Sequence, residues 1–542
     1  MSAPAPLPLL LSNLIAHADR QHGDTPVLSR RVEDPRGPLQ RSNWRGVHGR
    51  ARRFANALGS LGVRQGDRVA TLAWNTHRHL ELYYAISGSG AVCHTVNPRL
   101  YEAQLAWILN DSRARVLCFD LSFSELVAGL APQLQHVEHF VLLSDEEHLP
   151  AAFPAPLRAY ETLLAEHGDD YAWPLLDENS PAGLCYTSGT TGNPKGVLYS
   201  HRTTVLQVYS CALPDTFGLS ARDVVMPVTP MYHVNGWGVP YIAALVGASL
   251  VLPGPLQDGP ALLELINAER VTFSNGVPTL WSRLLDTLNE TGTRIDSLRR
   301  LAVGGSTCPP ALIDAYAARG IELRHCWGMT EVAPIGLIST PKADHEHLDP
   351  ETRAARRDKQ GRPLPGVVFR ILDDDGRELP HDGTAFGELV VRAPWVVGNY
   401  FNRDSAPDFT ADGWFRTGDV ATIDPAGYVR ITDRAKDVIK SGGEWISSIE
   451  LENILLTHPA VQDAAAIAVA HPQWNERPLM AVVLRPGETL ERDAMRAHFE
   501  GKVAKWWIPD DLVEVDKIPY TGTGKVSKRE LREAHAGHQW PA

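Results

Sequence analysis

Residues 184–196 read Leu-Cys-Tyr-Thr-Ser-Gly-Thr-Thr-Gly-Asn-Pro-Lys-Gly, gathering four Ser/Thr hydroxyls, three glycines and one lysine just after the breaker Pro181. Glycines let a backbone turn its N–H groups toward an anion, hydroxyls add donors, and a lysine adds a mobile positive charge. The stretch therefore reads as a phosphate-handling loop. It is not a Walker A loop, in which four residues separate the first glycine from a Gly-Lys pair followed by Ser or Thr. Counted from Gly189, Pro194 stands where the second glycine belongs, and Gly196 follows Lys195. A flexible linker could share Ser188 to Gly192, but linkers rarely carry Tyr186 before such a core and Pro194-Lys195-Gly196 after it.

The elements that must hold this loop follow from the hydrophobic pattern. Before it, strand candidates at Arg68–Trp74, Ala91–Thr95, Arg115–Phe119 and His139–Leu143 alternate with helical patterns such as His79–Ile86. After it come a strand at Ser249–Leu252, a helix at Ala261–Ala268, and a strand at Val271–Phe273. A helix at Thr279–Leu288, a strand at Leu301–Val303 and a helix at Pro310–Arg319 continue the rhythm. Strand, helix, strand at this spacing predicts parallel sheets covered by helices, with one sheet system on either side of the loop. From about Gly366 the strands become closely spaced, with turns at Asp374–Gly376, Asp412-Gly413 and Pro425–Gly427, which predicts a β-rich subdomain. The last 105 residues read as a separate α+β unit, with helices at Glu450–Leu456 and Glu491–Phe499 and strands at Val461–Val469 and Leu479–Leu484. The expected fold class is α/β: a large N-terminal domain over 1–432, a charged hinge at 433–437, and a small mobile domain over 438–542.

A chain of 542 residues exceeds one core. Its net charge of −12 is spread along the sequence with no polybasic patch, which argues against a nucleic-acid partner. Six scattered cysteines without a CxxC pair predict buried free thiols in a reducing compartment. Leu7 to Leu11 is short and broken by proline, and no apolar stretch approaches bilayer length, so the expectation is a cytoplasmic protein with no integral membrane segment.

With Tyr186, Pro194, Lys195 and Gly196 around it, the loop resembles the phosphate loop of the adenylate-forming (AMP-binding) superfamily, and further segments match that family in order along nearly the whole chain. The wording His233-Val-Asn-Gly-Trp-Gly238, Ser441-Gly-Gly-Glu-Trp-Ile-Ser-Ser448 and Ala504–Asp511 is similar to the medium-chain acyl-CoA and 3-methylmercaptopropionyl-CoA ligases. The resemblance implies that Thr187, Ser188, Gly189, Thr190, Thr191, Gly192 and Lys195 hold ATP phosphates. Met231–Trp237 would line the acid's pocket, with His233 near the reacting carboxylate, Trp237 shaping the acyl channel and Gly304 beside it; outside this context a histidine among apolar residues is more often part of a core. Gly305, Ser306 and Thr307, at a strand end, would lie along the AMP moiety.

In His325-Cys-Trp-Gly-Met-Thr-Glu331, the family's nucleotide segment, His325, Gly328 and Met329 belong to the AMP site. Trp327 can stack on adenine, Thr330 can bond the α-phosphate, and Glu331, with Thr187, can offer oxygen to Mg²⁺. The nearby Asp344-His-Glu-His347 lacks HExxH spacing and reads as a solvated loop. Asp419 can accept the ribose hydroxyls and Arg434 contacts ribose or phosphate. The resemblance also implies that Lys436 sits at the family's hinge position, while Lys440, Gly442, Gly443, Glu444 and Trp445 belong to the thioesterification face. It makes Lys525, in a glycine-rich loop, the mobile catalytic lysine.

What the resemblance implies is an ATP-dependent acid:CoA ligase acting through acyl-AMP, with Mg²⁺, ATP, coenzyme A and a small carboxylic acid as ligands and a homodimer as the family expectation. An aryl- or amino-acid-adenylating enzyme serving a carrier protein is the nearest rival. A buried ammonium needs a carboxylate partner, however, and Val228–Tyr241 contains none. A luciferase-type oxygenase shares the motifs. A sensor that had lost catalysis would be expected to lack Lys525, Thr330 or Glu331, and all three are present.

Overall fold

The computed structural model describes residues 7–187, 193–403, 409–441, 444–520 and 526–540, with backbone alone at 444 and 445. It forms two compact units, Met1–Val367 with Ala393–Pro407, and Val368–Arg392 with Asp408–Ala542.

The first unit is built on two sheets. One has seven strands in the spatial order Leu157–Ala159, His139–Leu142, Ala114–Phe119, Arg68–Leu72, Val92–Thr95, Pro181–Tyr186 and Gly196–Ser200. All neighbours are parallel except the last pair, an antiparallel hairpin whose connection is the phosphate loop. Helices cover the strands on both faces, so a strand such as Val92–Thr95 is buried along its whole length, as in sheets made of strand-helix-strand units. Side-chain caps set the helix starts: Thr76 accepts from His79 N ahead of His77–Gly88, and Ser200 forms a capping box with Thr203 ahead of His201–Ala212.

The other sheet has nine strands in the order Arg362–Pro363, Ile335–Ile338, Glu322–Gly328, Arg300–Val303, Phe273–Gly276, Val224–Pro227, Ser249–Leu252, Pro26–Ser29 and Gln40–Asn43. Its centre is parallel and its edges antiparallel. Trp281, Leu301, Leu323 and Tyr316 sit in the core between this sheet and the helices Gly259–Ala268, Pro278–Thr291 and Pro310–Ala317. Burial of each such large side chain contributes about 1.5–3 kcal/mol. The division of sheets at the loop needs correction at two places. Pro26–Ser29 pairs in parallel with Ser249–Leu252, and Gly196–Ser200, after the loop, returns to the first sheet. A four-residue strand opening on proline has too little periodicity to announce itself; its partner more than 200 residues later decides its place.

In the second unit, Val368–Leu372, Phe386–Arg392, Phe415–Ile423 and Val429–Arg434 form an antiparallel sheet in chain order. Gly427 N donates to Asp424 O at 2.8 Å in one of the predicted turns. A five-stranded mixed sheet follows: Glu444–Ile446, Ile439–Ser441, Asn475–Leu484 and Val461–His471 in order, with Asp511–Glu514 parallel to Asn475–Leu484. The helices Ser448–Leu455, Arg492–Ala497 and Lys528–Ala534 accompany it. Parallel-sheet α/β layers, a β-rich region and a small α+β region are the predicted fold class.

Candidate active site

The phosphate loop leaves its hairpin between Thr187 and Lys195, which close its mouth: Thr187 N donates to Lys195 O at 2.9 Å and Lys195 N to Thr187 Oγ1 at 3.1 Å. Ser188, Gly189, Thr190, Thr191 and Gly192 lie outside the described residues. The Lys195 ammonium stands 4.5 Å from the ring centroid of Tyr400, and the Tyr400 hydroxyl donates to Glu331 Oε1 at 2.9 Å. Tyr199, on the strand that follows the loop, donates its hydroxyl to Thr330 O at 2.6 Å. Lys195, Thr330 and Glu331, 136 residues apart at the extremes, are thus brought into one cluster, with Thr330 and Glu331 both buried.

Parallel pairing explains how the nucleotide segments meet. Val303 lies beside His325 in adjacent strands, so 304–307 and 328–331 emerge from the same carboxyl end, where open parallel sheets bind ligands. Ser306 and Gly305 are exposed there and Thr307 is half-buried. His325 is buried beneath them; burial pushes its imidazole down to about 4 against the backbone groups of Asp358 and Ser306, which keeps it neutral at physiological pH. Trp327 is buried, while Gly328 and Met329 are half-buried. Gly328 must be glycine, because a Cβ would fall 1.7 Å from Pro334 O.

The segment expected to line the acid's pocket is shaped by an unusual backbone. Val234, Asn235, Gly236, Trp237 and Gly238 have φ of 38°, 41°, 61°, 58° and 72°, a left-handed turn immediately before the helix Val239–Val246. Asn235 Oδ1 accepts from Thr95 Oγ1 at 3.1 Å and Cys185 Sγ at 2.9 Å. Upstream, Met231 N donates to Asn75 Oδ1 at 2.7 Å, and Asn75 Nδ2 donates to Pro227 O at 2.8 Å and Thr229 O at 2.9 Å. The Tyr83 hydroxyl donates to Met231 O. The turn delivers Trp237, 5% exposed, onto Gly304, where a Cβ would lie 3.2 Å from the indole and 2.7 Å from Cys326 O. His233, half-buried, opens the same turn, its N donating to Pro230 O at 2.9 Å.

In the second unit, Asp419 and Arg434 face each other across adjacent strands, with Arg434 Nε 2.8 Å from Asp419 Oδ1. Asp433 Oδ2 accepts from Ser448 N at 2.5 Å and Oγ at 2.6 Å, which ties the predicted hinge to the helix Ser448–Leu455. Lys436 is exposed between these ties and the Arg532–Asp437 pair at 2.8 Å. Lys440 is exposed and its N donates to Glu476 Oε2 at 2.8 Å. Gly442, Gly443 and Lys525 lie outside the described residues, as do the side chains of Glu444 and Trp445. The loop holding Lys525 has a described stem, a backbone bridge between Tyr520 and Val526.

The acidic and histidine segment at 344–347 is a surface turn whose Asp344 pairs with Arg356 at 3.0 Å, and the described residues contain no cluster of three metal-ligating side chains. One buried carboxylate, Glu331, fits Mg²⁺, which takes most of its ligands from phosphates and water. Sequence reading missed Tyr400, Tyr199, Asn75 and Asn235. Asn235 stood inside a quoted motif, whereas nothing in Gly398-Asn-Tyr-Phe401 set Tyr400 apart.

The AMP-binding enzyme family model matches residues 15–401, and the model of the AMP-binding enzyme C-terminal domain matches 450–525. The chain is 49% identical to the 3-methylmercaptopropionyl-CoA ligase of Ruegeria lacuscaerulensis, over 97% of both chains. It is 48% identical to the medium-chain-fatty-acid–CoA ligase of Ectopseudomonas oleovorans, over 97% of this chain and 96% of that one. The crystal structure of the anthranilate CoA ligase AuaEII in complex with anthranoyl-AMP superposes with a TM-score of 0.85 at 25% identity, over 98% of both chains. Matched on family, on full-length relatives and on fold, the chain belongs to the AMP-binding enzyme family.

Proposed function

We propose that the chain activates a short- to medium-chain fatty acid, or a thioether acid resembling 3-methylmercaptopropionate, and passes the acyl group to coenzyme A. The reaction class is that of an AMP-forming acid:CoA ligase. A carboxylate oxygen attacks the α-phosphorus of ATP and the bond to pyrophosphate breaks; the coenzyme A thiolate then attacks the acyl carbon and AMP leaves. In the first half, Lys195 and the hydroxyls of 187–191 bind the departing phosphates, Thr330 the α-phosphate, Trp327 the adenine and Asp419 the ribose. Glu331 and Thr187 would hold Mg²⁺, which when bound neutralises phosphate charge. Positioning and charge neutralisation supply most of the catalysis in such a displacement. Lys525 engages the carboxylate and α-phosphate, and a rotation about Lys436, in a hinge at 433–437 between domains 1–432 and 438–542, exchanges it for the face containing Lys440 and Gly443. Cytoplasmic location and a homodimer belong to the same reading.

The observation that carries the substrate class is the contact of Trp237 with Gly304 in a segment, Val228–Tyr241, without carboxylate or ammonium side chains. Such a wall accepts an uncharged chain and gives no partner to the ammonium of an amino acid. The test is coenzyme-A-dependent AMP release across acetate to palmitate, methylmercaptopropionate, benzoates and amino acids. Turnover is expected for unbranched acids below palmitate and for the thioether acid. Turnover confined to amino acids, or independent of coenzyme A, would overturn the proposal.

A further inference from the structure

Tyr400, not singled out from the sequence, touches both Lys195 and Glu331. Its ring lies under the Lys195 ammonium at 4.5 Å from centroid to Nζ, and its hydroxyl donates to Glu331 Oε1 at 2.9 Å. Its backbone is fixed at both ends of the same cluster. Tyr400 pairs with Val197 in an antiparallel bridge, and Phe401 N donates to Gly196 O at 2.8 Å. Three residues earlier, Val397 N donates to Glu331 O at 2.9 Å. The tyrosine is 7% exposed, so the ring has little room to change rotamer.

A lysine ammonium is a strongly hydrated charge on a flexible four-carbon stem, which does not by itself fix its spacing to a carboxylate. A planar ring bonded to one and stacked under the other removes that freedom before ligand arrives, which is how supporting residues around a metal ligand act. We propose that Tyr400 is a positioning residue for adenylation, one side chain that sets the Lys195 ammonium and the Glu331 carboxylate at a fixed spacing for a magnesium-bound triphosphate. The inference rests on the proposed function. It adds that the cation bound by phosphate and the carboxylate offered to metal are not independent: perturbing the hydroxyl changes the metal requirement, and removing the ring also changes the grip on the phosphates.

The test uses the full-length protein and two variants, Tyr400→Phe and Tyr400→Leu. Calorimetry with α,β-methylene-ATP, with and without Mg²⁺, reads ligand binding without turnover, and ATP–pyrophosphate exchange reads the first half-reaction. Supporting residues around metal ligands typically contribute 10–100-fold in metal affinity. Tyr400→Phe is therefore expected to lower the gain in affinity that Mg²⁺ confers by about 10-fold while leaving magnesium-free binding within about 2-fold. Tyr400→Leu is expected to weaken the magnesium-free binding as well, by about 5-fold, since the cation–π contact is lost. Both should convert supplied acyl-AMP to acyl-CoA at near the wild-type rate, which also shows that they fold. A Tyr400→Phe protein whose magnesium dependence superimposes on wild type overturns the assignment, as does equal slowing of both half-reactions. If wild type itself shows no pyrophosphate exchange and no magnesium effect, the proposed function fails; if wild type shows both, only the role of Tyr400 is at stake.

Discussion

Replacing Asn235 tests whether the acid pocket is held open by stored backbone strain. Val234, Asn235 and Trp237 are non-glycine residues with φ of 38°, 41° and 58°. Left-handed backbone costs about 1–2 kcal/mol per residue, less for asparagine, so the turn carries about 3–5 kcal/mol of strain. Against this stand the two bonds accepted by Asn235 Oδ1 from Thr95 and Cys185, each contributing about 1 kcal/mol, and the burial of Trp237, about 2–3 kcal/mol. The two sides are nearly balanced. Asn235→Ala removes both bonds and places an alanine at positive φ, a combined loss of about 3 kcal/mol, enough to let the turn unwind and Trp237 leave Gly304. Asn235→Gly loses the same bonds but relieves the steric cost, so the turn should survive. The assay is kcat/KM for a series of saturated acids, with KM for ATP as the control. The alanine variant is expected to lose chain-length discrimination and raise KM for the acid about 10-fold at nearly unchanged KM for ATP, and the glycine variant to keep the wild-type profile. An alanine variant with wild-type discrimination, or a glycine variant as unselective as the alanine one, would refute the reasoning.

Two further predictions concern stability and the division of labour. His94 is fully buried, neither ring nitrogen has a hydrogen-bond partner among the described residues, and burial, helped by Arg68, pushes its imidazole down to about 3. Its contribution is intact above the unfolded pKa of about 6.5 and is lost as pH falls toward the folded value, about 2 kcal/mol of it by pH 5. His94→Leu should therefore raise the urea midpoint at pH 7.5, and its advantage should widen by about 2 kcal/mol at pH 5; an equal gain at both pH values would contradict the argument. Lys525→Ala should abolish acyl-AMP formation and spare conversion of supplied acyl-AMP, while Lys440→Ala or a bulky residue at Gly443 should do the reverse. Equal loss in both half-reactions would contradict an exchange of the two faces.

The fold was legible where local pattern and tertiary role agree. Arg68–Leu72, Val92–Thr95 and Ser249–Leu252 are apolar runs between helical stretches, and parallel pairing follows from that alternation. The strand expected at Val271–Phe273 instead occupies Phe273–Gly276, because Asn275 and Gly276 look like turn residues until their partners are known. Asn275 continues the ladder and holds Thr229 through its backbone carbonyl and side chain. In the site, Lys195, Thr330, Glu331 and Trp237 could be named because they stand in motifs whose wording and order resemble the family's. Tyr400 could not, since a tyrosine's value there depends on two residues 69 and 205 positions away. The left-handed turn was hidden for a related reason: valine and tryptophan disfavour positive φ, and the bonds to Asn235 from strands of the other sheet, together with the burial of Trp237, offset that cost.

The pairing of Pro26–Ser29 with Ser249–Leu252 has a consequence for biosynthesis. Residues 27–29 cannot settle until 250–252 have been made, and the helix Leu11–His22 packs against Val239–Val246 from the same late region. At about 5–20 residues per second, roughly 10–45 s separate the synthesis of the two partners. During that interval the apolar face of Leu11, Leu14, Ile15 and Ala18, buried in the finished protein, can meet the helices Trp44–Ser60 and His77–Gly88 but lacks its cover from Val239–Val246. The nascent chain thus presents an amphipathic helix to whatever holds unfolded polypeptides in the cell, and the second sheet is completed long after the first has its central strands.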